Sequence, residues 1–92
     1  MVTMEVEMSA TLSVVMPVYN EKNTVLKIID KVLKLDIVKE LIVVDDCSTD
    51  GTREMLKHTK FDGRVKLLLH DKNMGKGGAI RTGFKNVSGD VA

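Results

Sequence analysis

Residues 40–52 read Glu-Leu-Ile-Val-Val-Asp-Asp-Cys-Ser-Thr-Asp-Gly-Thr. The first five, ELIVV, are apolar and β-branched with no helical spacing, which is the pattern of a strand covered on both faces. The run passes without a break into a polar turn full of capping residues. A buried strand that ends on two adjacent carboxylates, Asp45 and Asp46, puts acids at its carboxyl end. Open α/β sheets bind their ligands there.

The same alternation extends in both directions. Leu12 to Val18 (LSVVMPV) is a second apolar run, with Pro17 near its end, where a missing ladder donor is tolerated. Val18-Tyr19-Asn20-Glu21 is then a loop. Thr24 to Leu35 carries Val25, Ile28, Ile29, Val32 and Leu35 at amphipathic helical spacing, with Asn20, Asn23 or Thr24 as candidate caps. After the acidic turn a short helix is expected over about Thr52 to His58, then a strand at Val65 to Leu69. A third helix over Gly77 to Val87 has Ile80, Gly83, Phe84 and Val87 on one face. Strand-helix repeats of this kind predict an α/β fold: a parallel, Rossmann-like sheet with helices on both faces.

The chain has 92 residues, with 14 Lys+Arg against 13 Asp+Glu and one Cys. One domain at most fits this length. The near-zero net charge gives no basic field for nucleic acid or an anionic membrane. A single Cys makes no internal disulfide, which suits a reducing compartment. The longest apolar stretches, Val14 to Val18, Leu41 to Val44 and Leu67 to Leu69, fall far short of the about 20 residues of a membrane span. Residues 1–11 contain Glu5 and Glu7 but no Lys or Arg, so they are not a signal peptide. They are expected to be a poorly ordered leader to a domain over 12–92.

Familiar phosphate cradles are absent. The first βα turn, VYNEKN, has no glycine and cannot be a dinucleotide fingerprint. Gly75-Lys76 lacks the glycine five residues earlier that a P-loop needs; His70 stands there. Asp46-x-Ser48-x-Asp50-Gly51 opens like a calcium loop, but Lys57 occupies the place of the bidentate Glu. What remains is acids at strand ends, acceptors suited to ribose hydroxyls and the N–H edge of a base. Adjacent Asp45 and Asp46 point to opposite sides if the strand continues, one toward a ligand and one toward the protein. The plain alternative, that both are turn and cap acids, is about as common.

Asn73-Met74-Gly75-Lys76-Gly77-Gly78-Ala79-x-Arg81 is the second informative stretch. Its glycines permit close backbone approach, and a helix start offers free N–H groups. Lys76 and Arg81 add positive charge for a diphosphate; a glycine-rich turn with solvated bases is the competing reading. Cys47 reads as a small turn residue, and His58 and His70 as surface or helix-end residues.

Together LSVVMPVYNE, ELIVVDDCSTDGT and NMGKGGAIRTGFKNVSGD resemble family-2 glycosyltransferases of the GT-A fold, over about Leu12 to Ala92. The third stretch most resembles members that load a sugar onto a polyprenyl or dolichyl phosphate. The resemblance implies transfer of a hexose from a nucleotide diphosphate sugar, UDP- or GDP-linked, with a divalent metal, Mg²⁺ or Mn²⁺. The acceptor would be a polyprenyl phosphate or a growing polysaccharide, met at the cytoplasmic membrane face. It implies a nucleoside pocket lined by Pro17, Tyr19 and Glu21, with Asp45 or Asp46 on the base or ribose. Lys76 and Arg81 would lie near the diphosphate. Val18, Asn20, Ser48, Asn73, Gly75 and Gly77 are expected as loop and backbone contacts. Cys47 departs from the family's usual glycine, which bears on the local turn shape.

A further departure is that no D-x-D, the family's metal-binding motif, occurs in this sequence. In the family it follows the next strand, expected to begin near Asp90-Val91-Ala92. The chain is therefore expected to be the N-terminal, nucleotide-binding half of a GT-A domain, inactive alone, with no metal ligands or catalytic residues of its own. The first strand's outer edge would then be open and favour self-association. A nucleotidyltransferase would carry a glycine-rich loop after the first strand, where PVYNE stands. The alternative from another class is a non-catalytic α/β nucleotide-binding or regulatory module, which a full-length version that binds none of UDP, GDP and dTDP with Mg²⁺ or Mn²⁺ would favour.

Overall fold

The computed structural model describes residues 5–8 and 12–87. Four strands, β1 (Glu5–Met8), β2 (Leu12–Val18), β3 (Val38–Asp45) and β4 (Val65–Leu69), form one sheet in that order. Three helices, α1 (Val25–Leu33), α2 (Thr52–His58) and α3 (Gly75–Lys85), follow β2, β3 and β4 in turn. β2, β3 and β4 are parallel, with Val14 opposite Leu41 and Leu41 opposite Val65. The α/β reading stands, and the strands fall where the apolar runs put them.

Residues 5–8 correct the expectation for the leader. They pair antiparallel with β2, Glu5 opposite Val15 and Met8 opposite Leu12. The sheet is therefore mixed, and β1 fills the β2 edge that was expected to be open. The physical signal is the strict alternation Glu5-Val6-Glu7-Met8, a strand period too short to stand out without an apolar run. The strand expected to begin near Asp90 lies outside the described residues.

Alternation along the strands divides the core in two. Val14, Met16 and Val18 of β2 and Leu41 and Val43 of β3 pack with Val25, Ile29 and Val32 of α1 and Leu56 of α2. Ile42 and Val44 face the other way, against Ala79 of α3. Helices thus cover both faces. The chain changes sides after β4, and such a crossing leaves a crevice at the carboxyl ends of the strands.

Element ends have local causes. α1 stops at Leu33, two residues before the expected Leu35, because Arg64 donates to the Leu33 carbonyl at 2.6 Å and to that of Val38 at 3.0 Å. Leu35 is left exposed rather than on the apolar face. Thr24 precedes α1, and its hydroxyl donates to Glu21 Oε2 at 2.9 Å rather than to a helix N–H. α3 begins at Gly75 instead of Gly77. Asn73 Oδ1 accepts the Gly75 N–H at 3.0 Å, and Gly75 takes φ +79°, a left-handed value that glycine adopts without strain. Of the expected face of α3, Gly83 is buried, together with Ala79, while Ile80, Phe84 and Val87 are half-buried.

Candidate functional site

The loops after β2 and β3 are fastened to each other. Asn20, at φ +53°, donates its N–H to Ser48 Oγ at 2.9 Å, and its Oδ1 accepts the Thr49 N–H at 2.7 Å. Asn is among the few side chains that tolerate this backbone region. Asp50 Oδ2 accepts the Lys22 N–H at 3.3 Å and Asp50 Oδ1 the Thr52 N–H at 2.9 Å. The hydroxyl of Thr52 also donates to Asp50 and, with the two backbone N–H groups, holds this carboxyl below its ordinary range. Asn20 and Ser48, expected as ligand contacts, bind one another's loops and shape the crevice from behind.

The two adjacent acids divide as strand geometry requires. Asp45 is fully buried on the α2 side. Its carboxylate accepts the Ser48 hydroxyl at 2.6 Å and the Ser48 N–H at 3.2 Å, and lies 3.5 Å from Arg53 Nη1. It is the acid of the turn. Asp46 lies on the α3 side. One oxygen, Oδ1, accepts the Met74 N–H at 2.8 Å and pairs with His70 Nδ1 at 2.9 Å. No donor among the described residues takes Oδ2.

His70 corrects the sequence reading. It is buried, 8% exposed, and ties three elements together. Its N–H continues the ladder to the Asp45 carbonyl at 2.9 Å, and its carbonyl accepts from Arg53 Nη1 at 2.7 Å. Its ring bridges Asp46 and Thr82, with Nε2 2.8 Å from Thr82 Oγ1. Arg53, His70 and Thr82 were missed because each depends on partners distant in sequence.

Pro17, Val18, Tyr19, Asp46, Asn73, Gly75, Lys76 and Ala79 line a cavity of about 200 Å³ between β2, β3 and the start of α3. Seven of these were expected from the sequence; Ala79 was not. The backbone carbonyl of Glu21 accepts the Thr24 and Val25 N–H groups at the start of α1, and Glu21, Gly77 and Arg81 are not on the cavity wall. The volume is below the about 300–1,000 Å³ of whole-ligand pockets, so it suits one end of a ligand. Its wall combines an aromatic ring, apolar groups, a carboxylate, a lysine and a helix N-terminus. Those groups fit a base, an N–H or hydroxyl of a nucleoside, and a phosphate.

Among the described residues no three His, Cys, Asp or Glu side chains converge to hold a metal ion. Asp45 is taken up by Ser48 and Arg53, and it faces away from Asp46. The described residues alone therefore do not fit a divalent-metal site. No helix among them is long and apolar enough to cross a membrane.

Comparison with known proteins agrees with this fold. The undecaprenyl-phosphate 4-deoxy-4-formamido-L-arabinose transferase of Proteus mirabilis is 35% identical over 85 residues, 86% of this chain and 26% of the relative. The enzyme of the same name from Yersinia pestis (strain Pestoides F) is 36% identical over the same lengths. The chain thus spans about a quarter of the length of these curated relatives. The mannosyltransferase PcManGT from Pyrobaculum calidifontis, solved in complex with GDP-Man and Mn²⁺, superposes with a TM-score of 0.68. It is 29% identical, covering 80% of this chain and 23% of that one. Residues 13–92 match the model of glycosyl transferase family 2, and the chain belongs to that family.

Proposed function

We propose that this chain is the donor-binding half of a hexosyltransferase that moves a sugar from a UDP- or GDP-hexose to a polyprenyl phosphate at the cytoplasmic membrane face. The relatives named for undecaprenyl phosphate and the mannosyltransferase bound to GDP-Man support the substrate classes. The observation that carries the reading is Asp46, which lines a cavity with Tyr19 and the start of α3 and whose Oδ2 takes no donor among the described residues.

In this reading the base stacks on Tyr19 and gives an N–H to Asp46 Oδ2. The diphosphate lies toward Lys76 and the N-terminus of α3. During transfer the bond from the anomeric carbon to the diphosphate breaks, the diphosphate leaves with the electron pair, and an acceptor oxygen forms the new bond. Lys76 and the helix N–H groups stabilise the charge that develops on the leaving group. Mg²⁺ or Mn²⁺ in the full-length enzyme would be held by residues outside those described. The 92-residue chain is expected to bind nucleotide without transferring sugar.

Calorimetric titration with UDP, GDP and dTDP tests the reading. Binding of at least one is expected; binding of none favours a non-catalytic module instead.

A further inference from the structure

The ring of His70 lies behind the one acid on the cavity wall, and its hydrogen-bond geometry has a proton count. Oδ1 of Asp46 already acts as an acceptor, from the Met74 N–H at 2.8 Å. A carboxylate oxygen has no proton to give, so the 2.9 Å contact is His70 Nδ1–H donating to it. Thr82 Oγ1 is 2.8 Å from His70 Nε2 and 3.0 Å from the Gly78 carbonyl. A hydroxyl has a single proton for these two neighbours. If it goes to Nε2, the ring is neutral with its proton on Nδ1. If it goes to the Gly78 carbonyl, Nε2 carries a proton too and donates to Oγ1. Both arrangements keep Nδ1–H on Asp46.

We propose that His70 is a positioning residue for the donor site: its Nδ1–H fixes Asp46 with Oδ1 inward and Oδ2 toward the nucleoside, and Thr82 anchors the far side of the ring at Nε2. The ligand half of the proposal rests on the nucleotide-sugar reading above. His70 touches no reacting atom; it acts through Asp46. The arrangement is pre-organised, because β4, α3 and the 70–74 loop hold the carboxylate before any ligand arrives.

Two measurements on the 92-residue chain test it. Long-range ¹⁵N–¹H NMR of the imidazole, without nucleotide, should find Nδ1 protonated in the wild type, and the Nε2 signal displaced in Thr82→Val. An Nδ1 that carries no proton overturns the proposal. Calorimetry with the tightest of UDP, GDP and dTDP should show His70→Ala about tenfold weaker, the loss of one charge-assisted hydrogen bond. His70→Asn, whose side-chain amide reaches the place of Nδ1, should stay within about threefold of wild type by keeping that bond. Equal affinity of wild type and His70→Ala, with circular dichroism showing both folded, overturns the positioning role. So does equal loss in the Asn and Ala variants. A wild type that binds no nucleotide removes the donor reading, while the NMR result still decides whether His70 holds Asp46.

Discussion

Asp45 and Asp46 are consecutive in the chain and lie on opposite faces of the sheet. Asp45 closes its own turn on Ser48 beside Arg53, and Asp46 turns to His70 and the cavity. The pair therefore separates structure from binding. Asp45→Ala leaves the buried Ser48 hydroxyl without its acceptor and the Arg53 guanidinium without its counter-charge. A loss of about 2–4 kcal/mol in urea-unfolding stability is expected. A loss under about 0.5 kcal/mol, the size of an ordinary surface change, would contradict the assignment.

Gly83 is where α3 touches the sheet. A Cβ placed there would lie 2.2 Å from Val15 Cγ1, and Val15 is fully buried between its neighbouring strands. Alanine would gain about 1 kcal/mol of helix propensity, but overpacking of this kind costs about 1–3 kcal/mol. With a clash this close, Gly83→Ala should be destabilising, and Val15→Ala in the same chain should recover part of the loss. Additive effects in the double-mutant cycle would show that the two positions do not meet.

Cys47 holds φ +64° in the acidic turn, which explains why the family's pattern favours glycine there. A side chain in this region costs about 1–2 kcal/mol, and glycine's extra freedom in the unfolded chain returns about 0.5–1 kcal/mol of that. Cys47→Gly should therefore raise stability by about 0.5–1 kcal/mol, or a few degrees in Tm. A lower Tm would show that the Sγ contact with the Asp71 carbonyl, at 3.6 Å, outweighs the backbone strain.

Asp50 and Asp62 supply the acid sensitivity of the loops. Thr52 hydrogen bonds hold the Asp50 carboxyl below its ordinary range, and those of Arg64 do the same at Asp62. With folded values depressed, the unfolded chain binds more protons as pH falls through the carboxylate range. The stabilisation is thus fully present above about pH 4 and is lost progressively below it. Both groups are exposed, so the effect is small. In thermal melts between pH 2 and 6, Asp50→Asn should flatten the acid limb of the profile. An unchanged limb would mean that Asp50 does not contribute.

The strands and α2 were legible because burial on both faces writes continuous apolar runs, and capping residues mark where they stop. The opposite orientation of Asp45 and Asp46 followed from strand alternation alone. His70 was not legible: its partners stand 24 and 12 residues away, and an isolated histidine has no local pattern. Ala79 was hidden for a related reason, while Gly83 already stood on the expected face of α3. A small residue looks like a weak helix position until the strand residues opposite it, Ile42 and Val44, are known. Strand β1 escaped because four alternating residues give little signal, although they occupy the edge of β2 that had been expected to stay open.

The most direct test of the account is the affinity of Asp46→Asn for nucleotide. Asparagine keeps an oxygen for the Met74 and His70 donors and replaces the other acceptor, Oδ2, with an N–H₂ donor. The variant should unfold within about 1 kcal/mol of wild type and bind UDP or GDP at least about tenfold more weakly by calorimetry. Equal affinity in two equally folded proteins would contradict a nucleoside held by Asp46.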